Sequence, residues 1–195
     1  MKKSIIKLLF AALLFTLVGC GDNATEEKIG MLGFKLGQVI DVDDSAMTKK
    51  LGLRQFSKDK YGHPTCKFRA REKFREFSDG ELVLHPEDHS IITIYTKHQY
   101  SDKEILDPKA ATESGFEFFN VLGDLRSAYK GNWEVDLDKD KKNGMMSAHC
   151  KLENGCRVSV AQENFDDSIC VIMQDIPVLK ELSANRPVKK AKGLN

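Results

Sequence analysis

The chain has 195 residues, with 30 Lys and Arg against 29 Asp and Glu, a formal net charge of +1. That balance provides no broad positive field to draw in nucleic acid, so no nucleic-acid partner is expected. The length suits one domain of ordinary size or two small ones.

The first segment, MKKSIIK, carries Lys2, Lys3 and Lys7 and leads into LLFAALLFTLV, apolar except for Thr16. This run falls well short of the ~20 residues that a membrane-spanning helix needs. A charged start, a short apolar stretch and a small-residue exit have the form of a secretory signal peptide over residues 1–19. With its three lysines removed, acids slightly outnumber bases in the remaining chain.

The exit reads Leu17-Val18-Gly19-Cys20 and resembles the lipobox of bacterial lipoproteins. The resemblance implies cleavage between Gly19 and Cys20, with Cys20 as the lipid attachment site: a diacylglycerol on its thiol and an acyl chain on the new amino group. Each buried CH₂ contributes about 0.8 kcal/mol, and stable anchoring takes more than one chain, so acyl chains can stand in for a transmembrane helix. The resemblance also implies a periplasmic, membrane-anchored address. Gly21 rather than Asp follows the cysteine, which favours the outer over the inner membrane.

Residues 20–30, CGDNATEEKIG, read as a flexible tether. Residues 31–180 read as a single α+β domain, with possible halves at 31–104 and 105–180. Residues 43–52 contain a short helix, acidic at its start, with Lys49 and Lys50 late and Gly52 as the stop. Strands are predicted at Thr65–Arg69, Glu81–His85 and Ile91–Lys97, with HPEDHS as the turn between the last two. Asp107 and Pro108 open a long helix over residues 107–130. Its apolar face comprises Ala111, Gly115, Phe118, Leu122, Leu125 and Tyr129, and Gly131 is expected as its C′ glycine. Three further strands are predicted at Met145–Leu152, Cys156–Gln162 and Ile169–Gln174. LENGC is a strong turn signal, with Asn154-Gly155 suited to positive φ. A three-residue loop would set Cys150 opposite Val158 and Ala148 opposite Val160, burying one face; a two-residue loop would not. Residues 181–195 read as a basic, disordered tail.

This order suggests two αβββ-like halves, with antiparallel sheet packed against a long amphipathic helix. The arrangement loosely resembles the small helix-plus-three-strand lipoproteins of the outer-membrane β-barrel assembly machinery and the β-lactamase-inhibitor-like folds near them. The resemblance is one of topology and carries over no functional residue.

Beyond Cys20 the chain has Cys66, Cys150, Cys156 and Cys170. An even number in an exported chain reads as two disulfides, with three possible connectivities. Cys150 with Cys156 across a turn and Cys66 with Cys170 at long range is one of them. The spacing is not that of a zinc site.

Several constellations invite chemistry. His85 and His89 in HPEDH, with Glu87 or Asp88, are the first suspects for a metal, with His98 on a neighbouring strand, but only two convergent ligands are assured and a solvated turn is the favoured reading, so no metal is expected. Asp136, Asp138 and Asp140 alternate like the start of an EF-hand loop, but Lys141 and Ser147 stand where Gly and Glu are required. His63 near Cys66 and His149 beside Cys150 are the candidate thiol–imidazole pairs, and adjacent strand residues point to opposite faces. Residues 67–77, KFRAREKFREF, alternate bases with phenylalanines. Phe68, Phe74 and Phe77 are expected inside, and Lys67, Arg69, Arg71, Lys73 and Arg75 in water, with the stretch as a possible contact surface. No phosphate-binding or hydrolase motif is present, and no cofactor is implied. The expectation is a lipid-anchored, non-catalytic binding or interaction protein of the envelope with a protein partner. The alternative is a lipoprotein that binds a small ligand or a metal.

Overall fold

A computed structural model of the chain describes residues 29–99, 108–137, 146–163 and 168–185, without the side chains of residues 108–116 and 163. Among the described residues it is a mixed structure dominated by antiparallel sheet, with three helices. The expected signal peptide, Cys20, nearly all of the tether and residues 186–195 lie outside the described residues.

The first elements are a small hairpin, β1 (Gly30–Met31) and β2 (Phe34–Lys35). Between them Leu32 and Gly33 both have positive φ, 57° and 85°, the backbone that a two-residue hairpin turn demands. Helix α1 (Ser45–Lys50) starts where Asp44 accepts hydrogen bonds from the Ala46 and Met47 amides. A side-chain acceptor at this position satisfies amides that the first turn leaves bare.

A four-stranded meander follows: β3 (Leu53–Lys58), β4 (Pro64–Phe74), β5 (Phe77–Leu84) and β6 (Ile91–Gln99). Helix α2 (Pro108–Ala128) leads to a second one: β7 (Asn132–Leu137), β8 (Met146–Lys151), β9 (Arg157–Glu163) and β10 (Ser168–Gln174). The two share one eight-stranded sheet, ordered β3-β4-β5-β6-β10-β9-β8-β7, in which the last strands of both meanders pair with each other. Helix α3 (Ile176–Ala184) closes the described chain, capped by the Asp175 carboxylate on the Val178 amide.

Each run has four strands where three were expected. The added strands, β3 and β7, are the outer ones, and their burial patterns explain why they escape a hydrophobicity reading. Only Leu53 is buried in β3, and nothing in β7 is fully buried. Helix α3 likewise reaches into the expected tail, since Asp175 and Pro177 form a good helix start that the basic composition downstream obscures. Gly131 does not take the left-handed backbone of a C′ glycine. Its missing side chain serves space instead: a Cβ there would lie 2.5 Å from the Cys150 sulfur.

The register gives the sheet two distinct faces. One row across all eight strands runs Leu53, Phe68, Gly80, Thr96, Val171, Val160, Ala148, Val135. It lies on the core side, with Phe118, Val121, Leu122 and Leu125 of α2 and Phe34, Leu36 and Ile40 of the N-terminal segment in the same buried cluster. The neighbouring row on the other face runs Arg54, Lys67, Glu81, Tyr95, Ile172, Ser159, His149, Glu134. None of these eight is fully buried. The strand β10, apolar from Ile169 to Met173, therefore buries Ile169, Val171 and Met173 and leaves Cys170 and Ile172 half-buried on the polar side. The LENGC turn takes the three-residue loop, with Gly155 at φ 82°, Cys150 opposite Val158 and Ala148 opposite Val160.

Candidate functional site

Among the described residues a cleft of about 740 Å³ opens where three elements meet: the β1–β2 hairpin, the C-terminal end of α2 and the β8–β9 turn. Apolar residues Ile29, Met31, Phe34 and Leu152 line it together with the charged side chains Lys35, Glu72, Lys130 and Glu153. Two hydrogen bonds hold the hairpin in place. The Tyr129 hydroxyl donates to the Gly30 carbonyl at 2.5 Å, and the Arg71 amide to the Leu32 carbonyl at 3.2 Å. Tyr129 is itself placed by α2, whose preceding turn is anchored by buried Leu125. Burial pushes the Tyr129 hydroxyl up to about 12, so it stays a neutral donor at physiological pH. The cleft thus offers apolar surface, charges of both signs and a fixed phenol, a combination suited to holding a ligand by shape and charge.

None of these cleft residues stood out in the sequence as part of a binding site. They lie in three short stretches and at the single position Glu72, far apart in the chain. Tyr129 was legible only as the last member of a helical stripe.

The HPEDH residues form the turn between β5 and β6. The His85 amide donates to the Ser90 carbonyl at 2.8 Å and the His89 amide to the His85 carbonyl at 3.1 Å, with His89 at φ 55°. His85 Nδ1 lies 3.3 Å from an Asp88 oxygen and accepts from the Glu87 amide, so this ring nitrogen is occupied within the turn. Hydrogen bonds from the Ser90 amide and hydroxyl hold the Asp88 carboxyl below its usual range. Among the described residues no group of three or more His, Cys, Asp or Glu converges on a metal position. Of the EF-hand-like aspartates, Asp138 and Asp140 lie outside the described residues.

His63 is buried beneath the β3–β4 loop, its Nδ1 3.0 Å from Asp59 Oδ2. Asp59 also accepts from the Tyr61 and His63 amides, which makes this carboxylate the organiser of the loop. His149 stands across from Glu134 at 3.2 Å, on the sheet face opposite to Cys150.

Cys66 and Cys150 are fully buried on the core face, and Cys156 is nearly so. Burial, aided by Glu81, pushes the Cys66 thiol up to about 11, and burial raises Cys150 too. Such thiols are poor nucleophiles at neutral pH. Strands β5 and β6 stand between β4, which holds Cys66, and β10, which holds Cys170. Three strand spacings amount to roughly 14 Å, against the 4.4–6.8 Å that a disulfide spans between Cα atoms. The long-range pairing of Cys66 with Cys170 therefore does not suit this sheet. Cys150 and Cys156 lie on the same face of neighbouring chain segments, displaced diagonally by two residues.

In the basic–aromatic stretch the phenylalanines point inward as expected: Phe68 and Phe77 are buried, Phe74 is partly so, and Phe74 stacks on Phe77 with 5.5 Å between centroids. Lys67, Arg69, Arg71 and Lys73 are exposed. Arg75 has a structural task. At φ 47° in the β4–β5 turn, it donates through Nε to Asp124 at 2.6 Å and through Nη1 to Glu117 at 3.0 Å, tying the hairpin to α2. These two carboxylates raise its pKa, so it remains charged.

Among the described residues no helix is long and apolar enough to cross a membrane. No protein family, curated protein or solved structure matches the chain.

Proposed function

We propose that this protein is a bacterial lipoprotein, anchored in the envelope through acylated Cys20, whose folded domain binds a protein partner without catalysing a reaction. The observation that carries the reading is the Leu17-Val18-Gly19-Cys20 motif at the exit of a short apolar run. Supporting it, one face of the sheet is polar, and no residue of its row from Arg54 to Glu134 is fully buried. The buried thiols are shifted away from nucleophilic chemistry. The address is the periplasmic side of a membrane, the outer one by the residue at position 21. The domain itself is read as two like halves, each a helix followed by strands, with α2 as a long amphipathic helix.

The test has two parts. Chain labelled with radioactive fatty acid in bacteria should carry label that Cys20→Ser abolishes, together with cleavage at that site. Normal maturation of the variant would overturn the anchor. Affinity purification from detergent-solubilised membranes should recover a stoichiometric protein, and its repeated absence would overturn the binding role.

A second reading, a small-ligand lipoprotein, is favoured by the cleft beside Tyr129. A ligand that occupies it must raise the Tm, because binding to the folded state alone stabilises that state.

A further inference from the structure

The two outer strands of the sheet differ in how they meet solvent. At one side, β3 is broken by a register shift between Arg54 and Ser57, with Gln55 at φ 52° and Lys58 at its end. Bulges and basic side chains of this kind keep an edge from recruiting another strand. At the other side, β7 pairs with β8 in an unbroken register of six residues, from Asn132–Lys151 to Leu137–Met146. It contains no proline, lysine or arginine. Among the described residues nothing pairs with its outer side.

The side chains of β7 alternate. Trp133, Val135 and Leu137 stand on the core face, opposite Cys150, Ala148 and Met146, yet Val135 is 40% and Leu137 44% exposed. Glu134 and Asp136 stand on the polar face, where the Glu134 side chain is 74% exposed. We propose that β7 is a docking edge for an extended polypeptide segment in which apolar residues alternate with Lys or Arg. The added strand supplies main-chain hydrogen bonds, its apolar residues cover Val135 and Leu137, and its basic residues lie beside Glu134 and Asp136. A second copy of this chain is a poor occupant. In an antiparallel pairing of two β7 strands that keeps like faces together, every register through the middle of the strand sets Glu134 or Asp136 against a carboxylate of the other copy. Like charges directly opposite each other destabilise a strand pair.

This inference rests on the proposed binding role and names the surface and the class of partner. The test uses a fluorescent peptide of alternating Val and Lys, with an alternating Val and Glu peptide as control, titrated into the full chain purified in detergent. Binding of the Val–Lys peptide should weaken at least tenfold in Glu134→Lys and in Val135→Lys, and fall with added salt. Phe56→Ser, on the opposite edge, should leave it unchanged. Circular dichroism and Tm identify any variant that has not folded, and the exposure of both β7 positions favours folded variants. Equal affinity for the two peptides, undiminished binding by both β7 variants, or dimerisation through β7 in the absence of peptide would each overturn the proposal. If purification from membranes recovers a partner that both variants still retain, the binding role stands and only this edge is refuted.

Discussion

Phe68 is fully buried and its ring lies over Gly80, its partner on β5. A Cβ at position 80 would strike both that ring and the Tyr95 carbonyl, so the glycine exists to let an aromatic ring lie flat on the sheet. Gly80→Ala is expected to destabilise the fold by about 1–3 kcal/mol, the usual cost of overpacking, read as a lower denaturant midpoint with an unchanged m-value. Tyr129 gives a second prediction at this scale. Tyr129→Phe leaves the Gly30 carbonyl without its donor and should cost about 1–2 kcal/mol. The pH dependence has a definite sign. The folded-state pKa of about 12 lies above the ordinary value of 10, so the folded chain holds its proton longer than the unfolded one. The stabilisation is complete below pH 10 and is lost as pH rises toward 12. Cys66, raised from 9 to about 11, loses stabilisation over an overlapping window, so the informative quantity is the difference between wild type and Tyr129→Phe. That difference should shrink between pH 10 and 12, and one that stays constant would mean that the phenol has an ordinary pKa.

At the scale of elements, Arg75 decides how the first meander sits against α2. Its side chain is 30% exposed and meets Glu117 and Asp124, themselves 24% and 49% exposed, from 42 and 49 residues away in the chain, so the ion pairs fasten elements that the backbone does not hold adjacent. Partly exposed pairs contribute little individually, and a three-membered network contributes more. Arg75→Ala should cost about 0.5–1.5 kcal/mol at low salt and less at 1 M salt, where screening is nearly complete. A double-mutant cycle with Asp124→Ala should return a coupling energy of about 0.5–1 kcal/mol, and a value near zero would make the contact incidental. The sequence spoke most clearly about elements where burial has a period. The strand cores of β4, β5, β6, β8, β9 and β10 were legible, as was the register of the β8–β9 hairpin through Asn154-Gly155. Strands β3 and β7 were not, because edge strands bury almost nothing on either face. Arg75 was legible as a wet base, but not as a clamp, since its partners lie far away in the chain. The cleft was illegible for the same reason: its lining converges from residues 29–35, 72, 128–130 and 152–154.

At the scale of the molecule, the sheet order determines whether the two meanders can stand alone. They meet through β6 and β10, which pair over seven residues from Ser168–Gln99 to Gln174–Thr93. Within β6, Ile92 and Ile94 are buried, and Ile94 lies opposite Met173, which is also buried. A fragment of residues 29–99 would turn this central strand into an open edge and remove Met173 and Val171 from its side. It would also remove Phe118, Val121, Leu122 and Leu125 of α2 from the shared core. Each large apolar side chain contributes about 1.5–3 kcal/mol on full burial, and a domain's whole margin is only about 5–15 kcal/mol. Losing several such contacts at once exceeds that margin. The fragment is therefore expected to lack a cooperative thermal transition by circular dichroism and to aggregate through its bare β6 edge, whereas the full chain unfolds in one step. A cooperative melt of residues 29–99 would show instead that the junction joins two self-sufficient domains, and β6 would then have to be stable as a free edge despite Ile92 and Ile94.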